Sequence, residues 1–365
     1  MKKFKFSFVI LIWLYLLSSC NKKDDFNLHN YMVLDSVEYI EDFPKEFILD
    51  SPKDTQLDIP GMWDFDIQDS VLIIATRNKR GSWKVLSLPE LHSLGNFIDV
   101  GSGPSELSEP PSVSDKKFII ENGELMSYIY DFDLGKLFKL NLYSSIKENY
   151  SNVVLINDVL PQFLFNFDVV DSVTFFCKEI GNKETQQFRY LLSKSNRSVT
   201  PSMSRLNGVS VLNGINFNII STMTRYSNDH KKFVEMPFGL NYINIYSLND
   251  EFKKTICIGK KLDDINFIQN MEWGDRKFMF SDLRLYDEFF GVVSIDEFEK
   301  NYPNSLTEYP TILLFDWDGN ALAEIKPQNH FSSFDIDFEQ NEIYLFDLQT
   351  DLFVKYDLDN ILSNI

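Results

Sequence analysis

Apolar residues in this chain gather in short runs rich in Ile, Val, Phe and Tyr, separated by Gly, Asn and Asp, and beyond Leu17 no long stretch repeats them at helical spacing. That pattern predicts an all-β protein. The clearest unit fills residues 116–142. Lys117-Phe118-Ile119-Ile120 leads through Asn122-Gly123 to residues 125–130, and Leu134-Gly135 leads on to residues 137–142. Asn-Gly is a strong hairpin signal because both central residues of the favoured turn need positive φ. A second three-stranded meander is expected at residues 334–338, 342–346 and 352–356.

Strand starts marked by an apolar-acid-apolar or similar pattern recur at Phe65-Asp66-Ile67, Lys116 to Ile119, Phe167-Asp168-Val169, Ile215-Asn216-Phe217, Asp282-Leu283 and Phe334-Asp335-Ile336. The spacing is about 50 residues, with one gap of about 65, which is the period of four-stranded propeller blades. Ser294, with Glu297 three residues on, has the form of a capping box and predicts a short helix over residues 294–302 inserted inside the fifth blade. Six blades fit residues 55–360; seven blades of about 44 residues each are also compatible with the period. Ring closure needs a strand from the other terminus, and residues 44–49 (Pro44-Lys45-Glu46-Phe47-Ile48-Leu49) are the candidate. Such closure leaves no long free sheet edge.

The N-terminus has a different pattern. Lys2, Lys3 and Lys5 precede an apolar run from Phe6 to Leu17, which ends in Leu17-Ser18-Ser19-Cys20. A basic start, an apolar stretch and small residues before a cysteine predict an export signal over residues 1–19, cleaved at the Ser19-Cys20 junction, with lipid on Cys20. The alternative, an uncleaved membrane helix, is disfavoured because the run is short of the roughly 20 residues needed to span a bilayer. Residues 20–36 then form a polar tether, and residues 37–365 a single propeller domain. Lys23-Asp24-Asp25, just behind the lipidated cysteine, reads either as a surface-export signal or as a solvated linker.

Val100-Gly101-Ser102-Gly103-Pro104-Ser105-Glu106-Leu107 resembles the Gly-x-Gly-Pro-Gly-Glu-aromatic turn between the first two blades of the TolB-like six-bladed propeller lipoproteins of Bacteroidetes. Ser105 and Leu107 depart from that pattern. Leu314-Phe315-Asp316-Trp317-Asp318-Gly319-Asn320 resembles a hairpin that the same family places in later blades. The resemblance implies a six-bladed ring and an outer-membrane, lipid-anchored location, on either the periplasmic or the cell-surface side, more than it implies an activity.

Charge narrows the partners. The chain carries a formal −19, and loss of the first 19 residues removes three lysines and leaves −22. A surface that acidic gains nothing from counterion release on phosphate backbones, so nucleic acid is excluded as a partner, and attachment to the membrane must come from the lipid. With 33 Phe, 16 Tyr and 5 Trp, the chain can fill a large core. Cys177 and Cys257 are read as two buried free thiols, with a single bond between them as the alternative.

Candidate chemistry is sparse. Gly101, Gly103, Pro104 and Glu106 form an inter-blade turn rather than a phosphate loop, since no Lys-Ser/Thr follows. Asp316-x-Asp318-Gly319-Asn320 breaks the register of a calcium loop and reads as a hairpin turn. Asp64, Asp66, Asp131, Asp133, Asp335 and Asp337 alternate with aromatics and are expected on solvated faces, with some able to line the channel. The four histidines, His29, His92, His230 and His330, show no zinc-ligand spacing, so no catalytic residue, metal or cofactor is assigned. The expected function is a noncatalytic, lipid-anchored binding or scaffold module for a peptide, glycan or partner protein. Trp63, Trp83, Trp273 and Trp317 are candidate stacking residues, with the blade core as their alternative. A hydrolase or lyase using channel carboxylates is the other possibility.

Overall fold

The computed structural model describes residues 30–181, 183–215, 217–302, 309–358 and 361–364. The expected export signal with its junction at Leu17, Ser18 and Ser19, the expected lipidation site Cys20 and the Lys23-Asp24-Asp25 segment lie outside them.

Six sheets form a ring of blades, each running outward from an inner strand. The inner strands are Met62–Gln68, Lys117–Glu121, Asn166–Val169, Thr222–Ser227, Lys277–Leu285 and Ser333–Asp337, for blades 1 to 6. Blades 1 to 5 end on Ser93–Phe97, Val153–Asn157, Asn196–Ser198, Lys253–Ile258 and Ala321–Pro327. Both meanders expected from the sequence are present, at residues 117–141 and 333–357. The core lies between the blades. Phe65, Ile74, Tyr344 and Phe353 pack blade 1 on blade 6, and Phe280, Phe290, Ile243 and Ile256 pack blade 5 on blade 4.

Where a helix is expected from Ser294, the chain is strand, and the long gap between markers has another origin in the late start of blade 4. Phe289–Phe298 is a ten-residue strand in which Ser294 pairs with Thr311 on one side and Phe280 on the other. A capping box offers only local hydrogen bonds, and pairing with two neighbouring strands supersedes it. Blade 4 also starts later than its expected marker. Phe217–Ile219 is a single 3₁₀ turn, and the inner strand begins at Thr222.

Closure by the N-terminus holds in kind, but the residues differ. Blade 6 has three strands of its own, and Lys53–Asp54 supplies the fourth, with Lys53 Nζ 2.7 Å from Asp357. Glu46–Leu49 instead runs parallel along the outer strand of blade 5, and Val37–Ile40 does the same on blade 4. One N-terminal strap therefore edges three blades in succession before the chain enters blade 1. It is rooted by burial: Met32, Val33 and Leu34, which fall within the expected tether, are at most 3% exposed. The Met32 N–H donates to the Tyr242 hydroxyl at 3.0 Å, and the Leu34 N–H to Thr255 Oγ1 at 2.8 Å.

Candidate functional site

The inner strands carry the residues of the site. Asp64, Asp66, Asp131, Asp335 and Asp337 are buried rather than solvated, and Asp133 is half-buried. The reason is a repeated hydrogen-bond device. Asp64 Oδ1 accepts the N–H of its own neighbour Phe65, and Oδ2 reaches blade 2 to accept the N–H groups of Val113 and Ser114, each at 2.8 Å. Asp282 does the same with Leu283 and with Phe334 of blade 6. Asp335 does so with Ile336 and with Ile67 of blade 1, and Asp168 accepts from Tyr226 of blade 4. In blades 3, 5 and 6 the marker acid (Asp168, Asp282, Asp335) is an inter-blade latch, and in blade 1 Asp64, two residues before the marker acid Asp66, takes that place; each satisfies backbone donors the ring would otherwise bury unpaired. Alternation along a strand signals a solvated face only when that face is outside, and here it lines the ring interior.

At the centre, Arg284 gathers three of these carboxylates. Its Nε lies 2.9 Å from Asp282 Oδ2, Nη1 lies 2.7 Å from Asp66 Oδ2 and 3.4 Å from Asp335 Oδ2, and Nη2 donates to the Phe65 carbonyl at 2.9 Å. Burial works to lower the Arg284 pKa, but the surrounding carboxylates outweigh it and hold it well above the ordinary value. Burial, joined by the Asp335 charge, pushes Asp66 well above the usual carboxylate range.

Above this floor the channel opens into a cavity of about 950 Å3 lined from every blade. Its mouth is the set of turns that follow the inner strands. Four consecutive blades, 4, 5, 6 and 1, place exposed acids there: Asp229, Asp287, Glu288, Glu339 and Asp69. The blade 2 side contributes Phe118, half-buried, and Ile120, 55% exposed, beside the charged Asp115, Lys116 and Lys117. The inner strands of blades 3 to 6 and 1 pack in succession, whereas that of blade 2 stands apart, and a smaller cleft of about 150 Å3 lies between blades 2 and 3. Such a mouth attracts cationic groups over the distance that salt permits. Among the described residues no cluster of three or more His, Cys, Asp or Glu side chains is placed to hold a metal ion.

Other candidates from the sequence fall away from the channel. Gly101 and Gly103 lie under the Glu106 side chain. Glu106 Oε2 accepts the Gly103 N–H at 2.7 Å, and a Cβ on Gly101 would sit 2.1 Å from that oxygen. The Gly-x-Gly-Pro segment is thus a turn closed by its own glutamate. Asp316 Oδ1 accepts the N–H groups of Asp318 and Asn320, so that segment is a hairpin turn. Trp83 and Trp317 are core, and Trp63 is half-buried; Trp273 is exposed. His230 stacks on Trp317 with ring centroids 4.2 Å apart. Cys177 and Cys257 are free and buried, and burial pushes each thiol up to about 12.

The sequence reading missed two charged features. Arg225 occupies, on the inner strand of blade 4, the place that Asp66 holds on blade 1; the inner-strand charge reversal was its only signal. The second is a buried cluster between blades 3 and 4, where Arg189 Nε donates to both oxygens of Glu235 at 2.8 and 2.9 Å and Lys178 Nζ lies 3.7 Å from the same carboxylate.

No family model matches the chain, and no curated protein matches it. Among solved structures it is similar to a member of the DUF4221 family from Bacteroides vulgatus, at 10% identity and TM-score 0.47 over 84% of this chain and 94% of that one. It is also similar to regucalcin, a calcium-binding protein of Agrobacterium tumefaciens, at 10% identity and TM-score 0.44 over 86% and 95%. A third likeness is to a luciferin-regenerating enzyme, at 10% identity and TM-score 0.42 over 84% and 94%.

Proposed function

We propose that this protein is a noncatalytic binding module of the cell envelope, held to the outer membrane by lipid on Cys20, that takes a peptide, or a glycan or partner-protein segment, at the mouth of its channel. The observation that carries this reading is the cavity of about 950 Å3, lined from all six blades. Rigid blades with variable connections are where propellers place their contacts. The deepest carboxylates are already committed. Asp66, Asp282 and Asp335 hold Arg284, and Asp282 and Asp335 accept backbone N–H groups from another blade through the same Oδ2 oxygens. Residues occupied in this way serve assembly of the ring before chemistry.

The lipobox and the resemblance to TolB-like lipoproteins support the location, and Lys23-Asp24-Asp25 directs the domain to the outer face. Protease shaving of intact cells, with Cys20→Ala and an envelope-leakage control, tests this: loss of the signal from intact cells is expected, and protection until the outer membrane is opened would sink the surface placement. For the binding role, the full-length protein in detergent is mixed with tripeptide and oligosaccharide pools, and retained species are weighed by mass spectrometry. Retention without chemical change is expected. Product formation that Asp66→Asn abolishes would establish the hydrolase or lyase alternative instead.

A further inference from the structure

The two arginines of the channel are in opposite states. Arg284 has a partner on Nε, Nη1 and Nη2. Arg225, on the adjacent blade and 14% exposed, has none on its buried Nε, and its Nη2 comes no nearer than 4.0 Å to Met223 Sδ and 3.9 Å to Asp282 Oδ1. Its strand, Thr222–Ser227, alternates buried and half-buried residues, and the guanidinium lies on the side that lines the cavity. A charged fork removed from most of its water, with no acceptor on Nε and only a thioether and a carboxylate at the far limit of contact on Nη2, is costly unless something accepts from it. The planar partner that fits it is a carboxylate, held by two parallel N–H···O bonds.

The approach to Arg225 passes the acidic arc formed by Asp229, Asp287, Glu288, Glu339 and Asp69, which repels a simple anion. A ligand that satisfies both regions carries a positive group at the mouth and its carboxylate below. On the blade 2 wall, Phe118 and Ile120 offer apolar surface for a hydrocarbon segment between them.

We propose that the channel binds a zwitterionic ligand of the amino acid or short-peptide class, carboxylate inward on Arg225 and ammonium outward on the acidic mouth. This rests on the binding-module reading above and names the chemistry of the ligand.

The test uses the full-length protein in detergent and a tripeptide pool made twice, as free acids and as C-terminal amides, with affinities of selected members measured by calorimetry at physiological salt. The long-range field favours the amides, which carry one more net positive charge, so a preference for the acids must come from a local group. A preference of about tenfold or more for the free acid is expected, lost in Arg225→Gln and only partly restored by Arg225→Lys, which keeps the charge without the fork. The acid-to-amide comparison on the unaltered protein needs no variant and stands if Arg225→Gln fails to fold. Equal binding of acids and amides, abolished by Ile120→Glu at the mouth, would overturn the carboxylate assignment and leave the binding module intact. Arg225-dependent binding of inorganic phosphate, with none of the free acids, would overturn it in favour of a phosphate ligand. If neither these pools nor oligosaccharides bind, both readings fall.

Discussion

Arg284 on blade 5 and Asp66 on blade 1 meet at 2.7 Å across the inner end of blade 6, so one ion pair ties together two blades that are not neighbours. Both side chains are at most 6% exposed. The pair is therefore a brace for the ring, with Asp282 and Asp335 on the same guanidinium.

Replacing Arg284 by Met should destabilise the fold by about 3–5 kcal/mol, because three buried carboxylates lose their common counter-charge. Lys should rescue it poorly, having no fork to serve three acceptors. The deficit should narrow on acidification. Carboxyls such as Asp66, already raised in the folded state, take up protons there before the unfolded chain does, so folding of the variant gains as pH falls. Urea unfolding at pH 7.5 and at pH 5 measures both effects, and an unchanged deficit would remove the charge explanation.

Asp64 makes a sharper test of the latches. Both of its oxygens accept backbone N–H groups. An asparagine must turn its NH2 towards one donor set or the other. Asp64→Asn should thus cost as much as Asp64→Ala, about 1–3 kcal/mol for buried donors left unpaired. A nearly neutral Asp64→Asn variant in equilibrium unfolding would contradict the latch.

The Lys178–Glu235–Arg189 cluster predicts opposite pH signatures for two residues in contact. Burial works to raise Glu235, but Arg189, ahead of Lys178, outweighs it and holds the carboxyl down at about 2. Its stability is fully present above the ordinary Glu range near 4.5 and is lost as pH falls towards 2, so Glu235→Gln should be much the weaker protein at pH 7 and approach wild type in strong acid. Lys178 faces a carboxylate already neutralised by Arg189, and burial pushes it down to about 7. The unfolded chain binds that proton up to about 10.5, so wild-type stability should rise between pH 7 and 10.5, and the rise should shrink in Lys178→Met. Thermal melts across pH, for wild type and both variants, decide the two signs.

Tyr242→Phe removes the acceptor of the Met32 N–H at a fully buried position. A loss of about 1–3 kcal/mol is expected, together with faster hydrogen exchange across residues 31–40. Unchanged exchange there would mean that the strap is rooted elsewhere.

The repeating sheet was legible because hairpin turns and strand runs are local: Asn122-Gly123 and the 334–356 meander lie where their residues place them. The strap was legible only in part. Glu46–Leu49 reads as a strand, but its partner is more than 270 residues away, and nothing in its own sequence distinguishes blade 5 from blade 6. Ser294 failed for the related reason that a strand paired on both sides overrides a local cap. The latch acids were visible as a repeat marker, yet their burial depended on which side of the strand faces the ring. Arg225 broke that marker, which is why blade 4 was started too early at residue 215, and the break itself was the trace of the channel guanidinium.

The strap also determines how the ring carries load. A pull on the chain before Asn30 meets Val37–Ile40 and Glu46–Leu49 lying lengthwise and parallel on the outer strands of blades 4 and 5. The evenly spaced bonds of a parallel pair then resist together in shear, instead of parting one by one as a peeled zipper does. Behind them, Lys53–Asp54 closes blade 6, so tension is spread over half the circumference before it reaches the seam. A propeller tugged from this end behaves as a wheel held by a belt, and its channel is insulated from the pull.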